Sequence, residues 1–322
     1  MARLAGVVRM CVGVSLTVAA GALAQTYGPS PFGTLTHPFP GGEAGQPDAP
    51  AAITDVDRRR LATAADGLLA QRPGMVDAYV VVVALDSDPV FAREAREAAH
   101  VLASRYDAQG RTLLLAGLDG RSFDPLPRGS PETLRTAIAQ IAAVMDVQED
   151  ALILYITAHG SPGGLVYRDR GTVMAALSPV WLDDALRRSR ISNRVLIVSA
   201  CFSGVFVPIL ASPEGVVITA AAKDRTSFGC ASDNDWTFFG DALINHALRK
   251  SQPLAAAFGE ARGLVSTWET SGKLIPSNPQ IAIGAQAAAW LKPIEARMPK
   301  VASAPVGRPA IDALDKAVAA NH

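Results

Sequence analysis

Two long runs of β-branched and aliphatic residues constrain this chain more than any other feature. Val195-Leu-Ile-Val-Ser-Ala leads into Cys201-Phe-Ser-Gly204, and Ala151-Leu-Ile-Leu-Tyr-Ile-Thr-Ala leads into His159-Gly160. A run without polar alternation fits a strand covered on both faces, the condition of a parallel sheet. Two such strands would carry a thiol and an imidazole at their carboxyl ends. Asp77 to Leu85 is a third run of this type.

Between these runs the pattern changes to helix. Asp55 to Gln71 has apolar positions at helical spacing, and Phe91 to Tyr106 follows the start signal Asp88-Pro89. Ser130-Pro131 and Ser178-Pro179 each place a capping hydroxyl before a proline at the first helical position, which predicts helices to about Met145 and Arg190. Strands are expected at Arg111 to Ala116 and Gly215 to Ala220, with a short strand or hairpin at Leu165-Val-Tyr167. Trp236 to Lys250 and Leu254 to Trp268 read as helices, and Gln280 to Ile283 as a last short strand. Strands alternating with helices predict an α/β fold: three layers, with a mostly parallel sheet flanked by helices. In such sheets functional groups gather beyond the carboxyl ends of the strands.

The chain ends read differently. Arg3 and Arg9 precede an apolar run from Met10 to Leu23, and Ala22-Leu-Ala24 matches a small-residue cleavage site. Residues 1–24 are therefore expected to be a signal peptide cut after Ala24, which predicts a secreted or periplasmic protein without a stable membrane span after cleavage. Residues 25–52, rich in Pro and Gly, read as a flexible segment. The folded domain is expected over 53–291, with a tail at 292–322. Thirty basic and thirty acidic residues give no formal net charge, so nothing points to a nucleic-acid partner.

Cys201 and Cys230 remain after the signal. In an oxidising compartment they are candidates for a disulfide, but a thiol at a strand end beside a histidine favours two free thiols. A thiol attacks a carbonyl as the thiolate, and an imidazole can take its proton and return it to the leaving amine. Forty-two residues separate His159 from Cys201, enough for one helical crossover between neighbouring parallel strands. Gly160 leaves its amide accessible, and with the amide of Cys201 it is a candidate oxyanion hole. By itself Cys201 also fits an inert core cysteine and His159 a satisfied core histidine. His100 and His246 fall inside helical patterns and read as structural, as does Cys230. No metal ligand set is suggested by spacing, and no cofactor is expected.

His159-Gly160 after one apolar strand, with Ser199-Ala-Cys201-Phe-Ser-Gly204 after the next, resembles the caspase–hemoglobinase clan of cysteine peptidases, most closely its legumain-like C13 family. The resemblance spans roughly Tyr79 to Leu248. It implies that His159 is the general base, Cys201 the nucleophile, and a protein or peptide the substrate. The pocket for asparagine before the scissile bond would draw on Arg93, Ser227 and Asp241. Relatives place an acid two residues before the nucleophile, where this chain has Ser199. The resemblance thus implies an exported cysteine endopeptidase. Its alternatives are a transpeptidase using the same acyl-enzyme and a binding module that kept the fold.

Overall fold

A computed structural model describes residues 53–117, 126–170, 172–312 and 314. The expected signal peptide and the 25–52 segment lie outside the described residues.

The apolar runs form the middle of one six-stranded sheet. Its strands are β1 (Ala78–Ala84), β2 (Thr112–Leu115), β3 (Ala151–Thr157), β7 (Arg194–Ser199), β8 (Gly215–Thr219) and β9 (Gln280–Ile283), ordered β2-β1-β3-β7-β8-β9. All pair in parallel except β9, which runs antiparallel to β8. Every residue of β1, β3, β7 and β8 is buried. That burial accounts for their unbroken hydrophobic sequence.

The two faces are covered by different helices. Tyr79, Val81 and Val83 of β1, Leu152, Leu154 and Ile156 of β3, and Leu196 and Val198 of β7 share one aliphatic core. It includes Leu61 of α1 (Asp55–Asp66), Leu134, Ile138 and Ile141 of α3 (Pro131–Val144), and Leu182 and Leu186 of α4 (Pro179–Arg188). Alternation along the strands turns Val80, Val82, Tyr155 and Ile197 to the other face. There α2 (Pro89–Arg105) packs on β1, β2 and β3, beside a helical turn α6 (Phe238–Gly240), a π-helix (Asp241–Ala247) and α7 (Leu254–Ser271). The three-layer expectation therefore holds. The Ser-Pro starts act as expected: Ser130 accepts from the Thr133 amide in a reciprocal capping box, and Ser178 accepts from the Trp181 amide.

Some expectations change. The first helix stops at Asp66, with Gly67 as its C-cap, rather than reaching Gln71. The hairpin around Leu165 is a three-stranded antiparallel sheet of β4 (His159–Ser161), β5 (Gly164–Asp169) and β6 (Thr172–Leu177). Trp236 to Lys250 is not one α-helix, because its centre is wound as the π-helix. After Cys201 the chain passes through a 3-10 turn (Ser203–Phe206) and a short helix α5 (Val207–Leu210). A last helix, α8 (Ala287–Glu295), crosses the expected domain boundary at 291. The polypeptide beyond it is no free tail. Ser303 accepts from Arg249, Val306 is bound by Trp236 and both side-chain atoms of Asn245, and the Arg308 amide donates to Asp235.

Candidate active site

The sheet brings His159 and Cys201 to neighbouring strand ends. β3 and β7 pair from Leu152 with Arg194 through Thr157 with Ser199, so each functional residue stands two positions beyond the last pair. Neighbouring strands lie about 4.8 Å apart. The topological switch of the sheet lies one strand away, between β1 and β3, since β1 leads outward to β2 on one side and β3 leads outward to β7 on the other.

Gly160 has a steric cause. A Cβ there would lie 1.9 Å from the carbonyl oxygen of Cys201 and 3.0 Å from its amide nitrogen. Only glycine lets the backbone after the histidine press against the backbone of the cysteine. Past Cys201 the chain turns sharply: Phe202 has φ 56°, the left-handed region, and its amide donates to the Arg225 carbonyl at 2.7 Å. A non-glycine residue there costs about 1 kcal/mol or more and needs surrounding contacts to hold it.

Cys201 is embedded in the loop after β8. Its Sγ receives the Ser227 amide at 3.2 Å, and the thiol faces the Ser227 carbonyl at 3.5 Å. Its titration is brought down to about 7, chiefly by a hydrogen bond from the Cys230 thiol. Burial opposes this shift, while the Ser227 amide and the charge of His159 assist it. The Cys230 thiol moves well upward, because giving up its proton would place a second negative sulfur beside the first in a buried site. Both cysteines are free thiols, as the sequence favours. Cys230, read as structural from sequence, is the neighbour of the nucleophile.

His159 is held by acids. Its Nε2 lies 3.5 Å from Asp88 and 3.9 Å from Asp86, and its ring meets Phe91 edge-on at 5.1 Å. Among the described residues no hydrogen bond joins it directly to Cys201. Apo sites commonly show such looseness, which closes with substrate. The imidazole holds the Asp88 carboxyl below the usual range, whereas burial pushes Asp86 up. Arg168, on β5, faces both carboxylates at 3.1 and 3.6 Å. It is fixed there by backbone bonds between Arg168 and Leu85 and between Ser87 and Arg168. Asp86, Asp88 and His159 offer three ligand atoms within 4.8 Å of one another, a grouping that sequence spacing does not suggest. The Arg168 guanidinium already supplies the positive charge facing these carboxylates.

The other predicted pocket residues do not converge on one cavity. The Arg93 guanidinium holds the carbonyls of Ser232 and Asn234 and lies 3.7 Å from Asp235, fastening the loop that carries Cys230. Ser199 donates to Glu94. Asp241 is wholly buried: it accepts from Asn245 and from the Ala310 amide at 2.7 Å each, and lies 3.5 Å from His246. Its carboxylate is used to seat the C-terminal strap, so it is not open to a substrate side chain as the resemblance implies. Ser227 alone of the four touches the thiol.

Sequence reasoning missed Glu94. This fully buried carboxylate accepts from Tyr155 at 2.7 Å, Thr157 at 2.8 Å and Ser199 at 3.2 Å through one oxygen. The other oxygen accepts from the amide and hydroxyl of Thr237 at 2.9 and 2.8 Å. Desolvation nevertheless pushes its pKa up. The acid absent at position 199 is supplied by α2 and reaches the same hydroxyl from across the layer. Its signal was present: Phe91, Glu94, Ala95 and Ala98 share one buried helical stripe.

Residues 129–282, which include both strand-end residues, match the Peptidase C13 family. The matched stretch is just under half of the chain, and it supports a C13-type protein. The match supports a protein of the caspase–hemoglobinase clan and a cysteine peptidase family. Among solved structures, caspase-1 from Spodoptera frugiperda aligns at 14% identity, over 67% of this chain and 94% of its own, with a TM-score of 0.45. The structure of pro-sf-caspase-1 aligns at 13% identity over 66% and 93%, with a TM-score of 0.41. No curated protein matches this chain.

Proposed function

We propose that this protein is an exported cysteine endopeptidase acting through a His159–Cys201 dyad. The observation that carries this reading is the Cys201 thiol itself. It stands at a strand end beside the strand that carries His159, with its titration lowered to about 7. The Cys201 thiolate attacks the scissile carbonyl carbon. The resulting oxyanion is held by the amides of Gly160 and Cys201, whose backbones are pressed together. Collapse of this intermediate forms a thioester and transfers the His159 proton to the leaving amine. Water, deprotonated by His159, then hydrolyses the thioester. Asp88 orients the imidazole from its far nitrogen. The substrate residue before the scissile bond enters beside Ser227, on the loop braced by Arg93, and the family resemblance favours asparagine there. Export rests on Arg3, Arg9 and the Ala22-Leu-Ala24 site.

An active-site thiol probe under reducing conditions is expected to label Cys201, with cleavage lost in Cys201→Ala and His159→Ala. An unlabelled Cys201, or cleavage that survives Cys201→Ala, rejects the dyad. A peptide library varied before the scissile bond tests the asparagine preference, and a flat profile removes it. The amino terminus of the mature protein is expected at Gln25.

A further inference from the structure

A cleft of about 560 Å³ opens beside the histidine, on the side away from the Ser227 loop. Its floor is the chain leaving β1 (Ala84, Asp86, Ser87) and β2 (Ala116, Gly117), and α1 and the end of β5 form its walls. The volume lies in the range of specific ligand sites. It shares residues with the charged cluster that holds His159: Asp86 and Arg168 line the cleft, Asp86 lies 3.9 Å from His159 Nε2, and Arg168 pairs with Asp86.

Among the described residues the charges around the cleft do not cancel locally. Arg128 is held by Asp57 at 3.0 Å and Asp169 at 3.2 Å. Arg168 faces Asp86 and Asp88. Every carboxylate lining the cleft is thereby matched to one of these two guanidiniums. Arg60, half-buried on α1, and Arg170, exposed at the end of β5, also line it. Among the described residues no carboxylate lies within ion-pair distance of either. A cleft with two uncompensated guanidiniums favours an anion, and guanidinium geometry suits a carboxylate.

The chemistry decides which part of the substrate reaches it. In acyl transfer the carbonyl carbon becomes bonded to Cys201 Sγ and the C–N bond breaks. The departing nitrogen takes its proton from His159. The fragment on the C-terminal side of the cut bond therefore leaves over the histidine, and the cleft lies beyond it. We propose that this cleft binds the leaving-side residues of the substrate and selects those carrying an acidic side chain, through Arg60 and Arg170. This inference rests on the dyad reading.

The test uses the full-length protein and pairs of leaving-side peptides that differ only by Asp or Lys, scanned over the first three residues. Binding to the Cys201→Ala protein, followed by fluorescence anisotropy, reports on the cleft whether or not any bond is cut. At one position at least, the Asp peptide is expected to bind about fivefold to twentyfold more tightly at low salt, with the gap shrinking as salt rises. Adding Arg60→Glu and Arg170→Glu is expected to invert the preference. Equal affinity for Asp and Lys at all three positions, or a preference indifferent to salt, overturns the proposal. The salt series on the parent protein keeps the test valid even where the charge-reversed protein fails to fold. Wild-type turnover of a substrate whose leaving group is a bare aminocoumarin reads the dyad alone, so loss of that reading and loss of the cleft are separate results.

Discussion

The two faces of the central sheet are built on opposite principles. The face under α1, α3 and α4 is aliphatic, with Leu152, Leu154 and Ile156 meeting Leu134, Ile138 and Ile141. The face under α2 carries a buried carboxylate with five donors, drawn from β3, β7 and the segment entering α6. Apolar packing is roughly proportional to area and tolerates small shifts. A saturated hydrogen-bond network fixes positions, and it is costly when one member is lost. Both faces therefore hold the sheet together, but only the α2 face also ties the sheet to the loop that carries Ser227 and Cys230. Thr237, which binds Glu94, closes that loop and caps the turn at Gly240.

The sharpest way to break this comparison is Glu94→Ala. It strands the hydroxyls of Tyr155, Thr157 and Ser199 and the Thr237 amide, so a loss of about 3–5 kcal/mol is expected in denaturant unfolding. Glu94→Gln keeps the volume but turns an amide NH2 group toward donors, and should cost about 1–3 kcal/mol. The pH sign is distinctive. Because burial raises the folded pKa of Glu94, the folded state binds more protons than the unfolded state above the ordinary glutamate range. Its contribution to stability therefore falls as pH rises through that window. Stability that instead rises there through Glu94 would contradict the direction assigned. Leu154→Ala on the aliphatic face is expected to cost about 2–5 kcal/mol through its cavity. It should leave the titration of Cys201 in place in the folded fraction. A matching disturbance of the thiol by Leu154→Ala would erase the distinction between the faces.

This division also explains what the sequence reveals. The sheet is legible because burial on both faces demands unbroken apolar runs, and the Ser-Pro signals mark helix starts through local chemistry alone. His159 and Cys201 are legible because strand ends are where such a sheet presents its groups. The partners are harder to see. Asp86 and Asp88 look like an ordinary loop and helix start, and only the register of β1 against β3, with the bridge from Asp86 to Arg168 of β5, brings them to His159. The sequence offers Cys230 only as a disulfide candidate or a structural cysteine, because an irregular loop carries it back to the thiol. Asp241 misleads for the opposite reason: position in the family pattern suggests a pocket, while the strap at Val306–Ala310, with no periodicity of its own, buries it. The π-helix likewise follows from packing rather than from local propensity.

The histidine end should respond to charge rather than packing. Asp88→Asn removes the carboxylate that accepts from His159, while Asp86 and Arg168 remain. A fall of about 10-fold to 100-fold in kcat/KM is expected, in line with the loss of other groups that orient a catalytic or metal-bound imidazole. Asp88→Glu should recover part of it. Asp88 is held below the usual carboxylate range by that hydrogen bond. It therefore contributes stability above the ordinary aspartate range that is lost as pH falls through its lowered folded value. In Asp88→Asn the acid limb of unfolding should be shallower. Full activity in Asp88→Asn would mean that the acid end does not orient the base.

The smallest expected effect lies at the other strand end and separates thiol from acid as the tuning group. Cys201 titrates at about 7, and the Cys230 hydrogen bond is the largest contribution lowering it. Below that pH the sulfur is protonated and slow to alkylate; above it the thiolate reacts. Cys230→Ala removes the donor while leaving the Ser227 amide and His159 in place. The midpoint of the alkylation-rate profile should then move upward by about one unit, toward the ordinary thiol range. Cys230→Ser retains a hydroxyl donor and should move it less. The measurement is iodoacetamide labelling of Cys201 across pH, quantified by peptide mass spectrometry under reducing conditions. A midpoint unchanged in Cys230→Ala would assign the lowered value to the Ser227 amide and the His159 charge. The nucleophile would then be tuned by the backbone of that loop and by the histidine, not by a second sulfur.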